Sequence, residues 1–495
     1  MNKLRSHLTV EKSLSKTAKA RIDTENRLLA NENDIEKGFT LPVNPEDGLA
    51  LFPIEPEVLK PFEKDLPLQA LIPEVSQTGG IGFGYKVIDA WDNSGYSGKV
   101  QDGRRARFLQ TAVRNVTHLF KTIGFENYFT DNAGLSSENM ARQSQAVNIV
   151  LQTLAYMIAE EEERKIIGGN STALEEIANI TATESNTAGS FTAGDYNVIA
   201  VPLTLYGLEQ SSVTKGVRLT HEEPNADGTV TRIVGGYGVK KAVADEVTLT
   251  ANKGIDILIE DVASAAGYAV FVGATGSEKL VYVGPTNKVT ITAPAATNAQ
   301  LASALSDTDQ SEDLELDWNG LFAMAGHGNG VVISLDGAPL TVEGIYASEF
   351  EEVISIVKDR GVDITHMVMN RKTFSAYYKA VATGISLTME PTGNAPAITL
   401  GGKPEFYESA HVNGKIPFVI DDLMPNGDIL FITIGSAARQ GMEGNFLEKR
   451  VQEAKHVIAW ARVTRSYQFG VYETSVLVCR QPSAIGRLKN IGGIK

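Results

Sequence analysis

The densest charge in the chain is a run of four glutamates, Glu160, Glu161, Glu162 and Glu163. It lies inside NIVLQTLAYMIAEEEERKIIGGN (residues 148–170), where an apolar helix stripe runs into Arg164-Lys165, two isoleucines and Gly168-Gly169-Asn170. Carboxylates this close together could serve a metal site or an acid–base pair. A di-iron bundle also needs Glu-x-x-His motifs on facing helices, and no such histidine appears. At about 100° per helical residue, the four side chains fan around the axis instead of converging. Anions near a helix C-terminus also oppose its dipole. They therefore need cations, from Arg164 and Lys165 or from another subunit. A solvated charge run and an intersubunit contact both stay open.

Other chemistry-bearing residues fall into no working pattern. His7, His118, His221, His327, His366, His411 and His456 have no second histidine or cysteine at metal-ligand spacing. GGIGFG (79–84) precedes a strand pattern and has no Gly-Lys-Ser/Thr element, so it reads as strand-entry flexibility. AGHGNG (325–330) has no strand–turn–helix setting for a nucleophile and no serine, and reads as a loop. The carboxylates of NPEDG and EPNADGT miss calcium-loop spacing and read as turns. No catalytic residue, cofactor site or metal site is expected, and the chain is not read as an enzyme.

The composition agrees. A 495-residue chain with 43% hydrophobic and 21% charged residues is an ordinary folded protein of two to four domains. A formal charge of −15 argues against a dedicated nucleic-acid binder and favours solubility. The lone Cys479 excludes an intrachain disulfide and fits a reducing cytoplasm. No apolar run reaches the roughly 20 residues of a membrane span. The N-terminus lacks an apolar signal region. A mitochondrial leader fits its first 21 residues only superficially, given Glu11, Asp23 and Glu25, and a partly helical arm is expected.

The positioning elements follow from periodicity. Seven prolines between 42 and 73 predict an extended strap. YKVIDAW and AVRNVTHLF alternate with period two around a polar, Gly-rich centre. They predict a long hairpin with its tip near 93–107, carrying Lys99, Arg104, Arg105 and Arg107 beside Asp92 and Asp102. Met140, Val147, Val150, Leu151, Leu154, Met157 and Ile158 recur at helical spacing. They predict a helix from Ser137 to about Lys165, capped by Ser136 or Ser137 and roughly 38 Å long. Short alternating segments over 195–297 predict an inserted β-sandwich between linkers TATESNTAGSFTAGD and APAATNAQLASALSDTDQSED. Beyond it, helix and strand patterns mix in an α+β body.

In this order, the parts resemble the major capsid proteins of tailed bacteriophages, the Hong Kong 97-like capsid fold. DAWDNSGYSGKVQDGRRARF looks like that family's E-loop. SSENMARQSQAVNIVLQTLAYMIAEEEERKIIGGN looks like its spine helix, and DWNGLFAMA like the next peripheral segment. THMVMNRKTFSAYYKAVATG, GGKPEFYESAHVNGKIPFVIDDLMPNGDILFITIGS and VTRSYQFGVYETSVLVCRQPSAIGRLKNI are similar to its later strand–helix pair, axial domain and last sheet. The resemblance spans roughly 40–190 and 312–495. It implies an N-terminal arm (1–74), E-loop (75–130), spine helix with the start of a peripheral domain (131–194), an inserted immunoglobulin-like sandwich (195–300), more peripheral domain (312–390) and an axial domain (391–495).

Several expectations follow from the resemblance. The chain would self-assemble into pentamers and hexamers of an icosahedral virion shell around double-stranded DNA, after assembly in the host cytoplasm. Portal protein, and possible scaffolding and decoration proteins, would be partners, with no membrane. The tip arginines would reach a neighbour's carboxylates, Glu160–Glu163 being the first candidates. Lys99 lies in the loop that some relatives crosslink, but the matching asparagine is not found, and crosslinking is not expected. An encapsulin-like compartment is the alternative.

Overall fold

The computed structural model describes residues 64–91, 99–100, 102, 104–105, 111–130, 143–384 and 405–494, apart from 220, 226, 234–235, 344–345, 413, 436–443 and 461–465. The arm and strap up to residue 63, Ser136 and Ser137, and Asp92 and Arg107 of the hairpin tip lie outside the described residues.

The described chain enters through α1 (Pro67–Leu71), whose proline sits where the first helical turn misses no amide hydrogen. After β1 (Glu74–Ser76), strands β2 (Gly82–Trp91) and β3 (Thr111–Leu119) pair antiparallel from Gly82–Leu119 out to Trp91–Thr111. They form a two-stranded ribbon of their own. β4 (Lys121–Thr130) follows, and then α2 (Gln143–Gly168), 26 unbroken residues or about 39 Å. Leu154, Ile158, Ile166 and Ile167 of α2 are buried, whereas Met157, assigned to the same stripe by its spacing, is 40% exposed.

Two sheets sharing one core come next. Their strands are β5 (Ile180–Ala188), β6 (Gly194–Leu203), β9 (Lys241–Ala242), β10 (Val247–Leu249), β11 (Lys253–Ile259), β12 (Gly267–Gly273), β13 (Lys279–Gly284) and β14 (Lys288–Ile291). The orders are β10-β6-β12-β13, with β9 on β6, and β14-β11-β5. Ile180, Val198, Ala200, Ile255, Ile257, Ile259, Tyr268, Val270 and Ile291 fill the space between them. A short helix, α3 (Leu205–Gln210), is capped by Thr204, whose hydroxyl accepts the Gly207 amide at 3.0 Å. A separate hairpin, β7 (His221–Pro224) and β8 (Val230–Ile233), branches from the same region.

Neither flank of this unit is a linker, contrary to the sequence expectation. Residues 181–188 are part of β5, paired along β11, because threonine carries strand propensity where aliphatic alternation is weak. On the other side, Ala302 and Leu305 close a second small core with Val201, Leu203, Ala269 and Phe271.

The remaining chain holds α4 (Leu321–His327), β15 (Val331–Ser334), the two-residue strands β16 (Val342–Glu343) and β17 (Tyr346–Ala347), α5 (Ser348–Asp359), β18 (His366–Met369), α6 (Arg371–Gly384), β19 (Phe406–Glu408), β20 (Lys415–Ile420), β21 (Ile429–Ile432), β22 (Leu447–Ala459), β23 (Ser466–Cys479) and β24 (Gly486–Lys489). Part of AGHGNG is thus helical, since Ala325–His327 close α4. One six-stranded sheet runs β15-β24-β21-β18-β20-β19. Phe350, Val353, Ile354 and Val357, at helical spacing on α5, bury against it. A second sheet runs β1-β22-β23-β4 and carries α2 across it.

Candidate functional site

The C-terminal turn of α2 brings three separate groups together around the glutamates. Glu162 and Glu163 are fully buried. Glu162 bonds the ammonium of Lys449 on β22 and lies 2.7 Å from that of Lys455. Glu473 of β23 stands 3.0 Å from Lys449, and Glu74 of β1 stands 2.5 Å away. Burial alone would lower the Lys449 pKa, but the charges of Glu162 and Glu473 outweigh it and hold the group above its ordinary value.

Glu163 turns the other way. Its two oxygens accept the Leu68 amide at 2.7 Å and the Gln69 amide at 2.9 Å, so it satisfies the open N-terminus of α1. It faces Asp421, which follows β20. Burial, then the Asp421 charge, pushes Glu163 up to about 8, and burial pushes Asp421 up to about 6.

Glu160 meets Lys64 at 2.6 Å and Arg164 at 3.3 Å. Arg164 also binds Glu161 and, at 2.5 Å, Glu209 of α3. Lys165 instead donates to the Leu316 carbonyl at 2.7 Å and lies over the Trp318 ring.

Of the four first candidates for a neighbour's arginines, two are therefore not on the surface of this chain. Glu162 and Glu163 are sealed inside and fully engaged by this chain. Glu160 and Glu161 keep 22% and 27% side-chain exposure but already share Arg164. Lys449, Lys455 and Asp421 were missed from sequence. A signal for the first existed: Leu447, Lys449 and Val451 alternate on one strand, which turns the lysine inward with its apolar neighbours.

The Gly-Gly-Asn stop and the Asp-Trp-Asn-Gly segment form one joint. The Gly320 amide donates to the Gly169 carbonyl at 2.8 Å, Asn170 N–H to Asp317 at 3.0 Å, and Ser171 N–H to Asn319 at 3.0 Å. A Cβ on Gly169 would lie 2.5 Å from the Trp318 carbonyl oxygen, so only glycine permits the crossing. The two-sheet unit therefore leaves and rejoins the chain at one clamped point.

At the hairpin tip, Lys99, Asp102, Arg104 and Arg105 are exposed. The base of the ribbon is fixed to β22 and β23. The Tyr85 hydroxyl donates to the Cys479 carbonyl at 2.7 Å, and the Arg450 guanidinium lies 4.5 Å over the Phe83 ring. A cavity of about 350 Å³ opens between β4, the end of α2 and the β7–β8 hairpin, lined by Ile123, Arg164, Tyr206, Glu223 and Asp313 among others. Among the described residues no group of three or more histidine, cysteine, aspartate or glutamate side chains is placed to hold a metal ion. No described helix is long and apolar enough to cross a membrane.

No family model matches the sequence, and no curated protein does. Solved structures are similar at low identity. The capsid of a native GTA particle aligns at 11% identity over 92% of this chain and 100% of that chain, with a TM-score of 0.41. The capsid of cyanophage P-SCSP1u aligns at 8% over 90% and 94%, with a TM-score of 0.39. An encapsulin of Synechococcus elongatus aligns at 15% over 35% and 57%, with a TM-score of 0.25.

Proposed function

We propose that this chain is the major capsid protein of a tailed bacteriophage. It would self-assemble as pentamers and hexamers into an icosahedral shell around double-stranded DNA, without reading its sequence and without catalysing a reaction. The observation that carries this reading is the β2–β3 ribbon. Among the described strands, two of 10 and 9 residues pair with each other alone, from a base fixed on β22 and β23 towards the exposed Lys99, Arg104 and Arg105. A two-stranded ribbon is marginal alone in water, so it is suited to lie on another surface. Repeating one such contact around a ring closes a symmetric assembly. The long α2 and the sheet beneath it supply the rigid body that such a contact pulls on.

The collinear sequence motifs support the same reading. The two-sheet unit, clamped at Gly169–Gly320, fits an immunoglobulin-like addition displayed on the shell exterior. Decoration, scaffolding and portal proteins would be further partners. The charge of −15 keeps an enclosed, equally negative genome separable from the wall. The test is to express the full chain and size it by electron microscopy and light scattering. Closed particles of megadalton mass are expected, and native particles should carry DNA. A monodisperse monomer at all salt and crowding conditions rules the reading out, and particles filled with protein cargo transfer it to an encapsulin-like shell.

A further inference from the structure

Segment Lys64–Ile72 buries Leu68 and Ile72 in the core beside α2 and pairs its charged residues with α2 and α6. Lys64 meets Glu160, Asp65 meets Arg371 at 2.9 Å, and Arg371 also binds Asp422 at 3.0 Å. The amides of Leu68 and Gln69 end on the carboxylate of Glu163. At that last contact the charges do not balance. Glu163 faces a second buried carboxyl, Asp421. One Asp421 oxygen accepts the Leu423 amide at 2.8 Å, while the other is buried and meets no donor among the described groups. Two carboxylates cannot stay in contact, out of water, unless one carries a proton.

We propose that Glu163 and Asp421 share a proton, and that this shared proton latches α1, and with it the root of the N-terminal arm, onto the end of α2. Burial and the surrounding charges favour retention of that proton. Asp422 and Glu209 add negative charge around Asp421. The cations of the region are spent elsewhere: Arg371 on Asp422 and Asp65, Arg164 on Glu161 and Glu209, Lys449 and Lys455 on Glu162. The α1 amides on Glu163 and the Leu423 amide on Asp421 oppose it. With Glu163 pushed up to about 8, the docked form holds a proton that the undocked form, at an ordinary carboxylate value, releases. Docking therefore weakens as pH rises from the ordinary carboxylate value towards about 8, where the docked form still holds the proton and the undocked form does not, and it levels off above about 8.

Hydrogen exchange on the full chain between pH 6 and pH 10, corrected for intrinsic rates, tests this without reference to any shell. Protection of Leu68–Ile72 should fall by up to about tenfold per pH unit from pH 6 to about pH 8, because undocking there releases one proton. Above that it should be level, since neither form then holds the proton. Protection of the α5 core peptide should stay level throughout. In Asp421→Asn the amide can donate to an ionised Glu163, so protection of Leu68–Ile72 should stay level between pH 6 and pH 8 as well as above it. Glu163→Gln should likewise remove the slope. A level wild-type profile overturns the latch, as does the same slope in a folded Asp421→Asn variant. Should either variant fail to fold, the wild-type profile alone decides.

Discussion

Lys449 sets its ammonium against Glu162, joining β22 to the end of α2 across 287 residues, with both side chains out of reach of water. Removing one side of such a group leaves the other as an uncompensated buried charge, which costs about 3–5 kcal/mol. Lys449→Met leaves two buried carboxylates, Glu162 and Glu473, with the partly exposed Lys455 as their one remaining cation among the described ion pairs. It should move the urea midpoint of this body, followed by tryptophan fluorescence, well below that of the native chain. Glu160→Gln and Glu161→Gln touch partly exposed pairs and should cost about 0–1 kcal/mol. Equal effects from all four glutamate positions would contradict the buried assignment.

The joint between Gly169 and Gly320 has no room for a methyl group. On Gly320, a Cβ would lie 2.5 Å from the Lys165 carbonyl oxygen and 2.6 Å from the Gly169 nitrogen, and backbone atoms cannot step aside as a side chain can. Gly169→Ala or Gly320→Ala should each destabilise by about 1–3 kcal/mol, the usual cost of overpacking. The measurement is the thermal unfolding midpoint. Wild-type midpoints for both would show that the crossing is looser than the distances say.

What the sequence disclosed depended on how local the signal was. The β2–β3 hairpin and α2 were legible because their periods, two residues or three to four, repeat within one segment. β5 was not: its ITATESNT run has few aliphatics, and only pairing with β11 makes it a strand. The glutamate cluster was half legible. That four consecutive acids cannot converge on one helix follows from geometry, and the local pairing with Arg164 was foreseeable. The burial of Glu162 and Glu163 was not, because Lys449 and Asp421 lie more than 250 residues downstream and nothing in the local pattern joins them.

The two-sheet unit is keyed to the six-stranded sheet through β24. Arg487 donates to the carbonyls of Ala263 at 2.9 Å and Ala265 at 2.8 Å, binds Asp428 at 2.5 Å, and lies 3.6 Å over the Phe322 ring. Lys489 donates to the Val262 and Ala265 carbonyls and meets Asp261 at 3.0 Å. Arg487→Met should destabilise by about 3–5 kcal/mol by leaving Asp428 unpaired. Hydrogen exchange should quicken in Gly267–Gly273 as well as in β24.

Burial, then the Arg487 charge, pulls Lys489 down to about 8. Between about pH 8 and the ordinary lysine value, the unfolded chain holds the proton that the folded chain has lost. Stability contributed by this group therefore rises with pH across that window. Lys489→Met should remove that rise, read as the unfolding midpoint at pH 8 against pH 10. An unchanged slope in the variant would show that Lys489 titrates as an ordinary lysine.

The hairpin tip gives the sharpest separation of folding from assembly. Arg104 and Arg105 are exposed, so reversing them should leave the circular dichroism and unfolding midpoint of the subunit within about 0.5 kcal/mol of the native chain. If the tip lies against a neighbour's carboxylates, Arg104→Glu with Arg105→Glu turns attraction into repulsion at every copy of that contact. The loss multiplies around a closed ring. Particle yield by light scattering and electron microscopy should then collapse while soluble subunit remains. Wild-type assembly should also weaken as added salt shortens the screening length from about 10 Å at 0.1 M. Since Glu162 and Glu163 are spoken for within the chain, Glu162→Gln should act through subunit stability, and Glu160→Gln and Glu161→Gln are the substitutions to compare with the tip for altered salt response. A doubly reversed tip that assembles with native yield and native salt dependence would show that the ribbon makes its contact through its strands, with its arginines left in solvent.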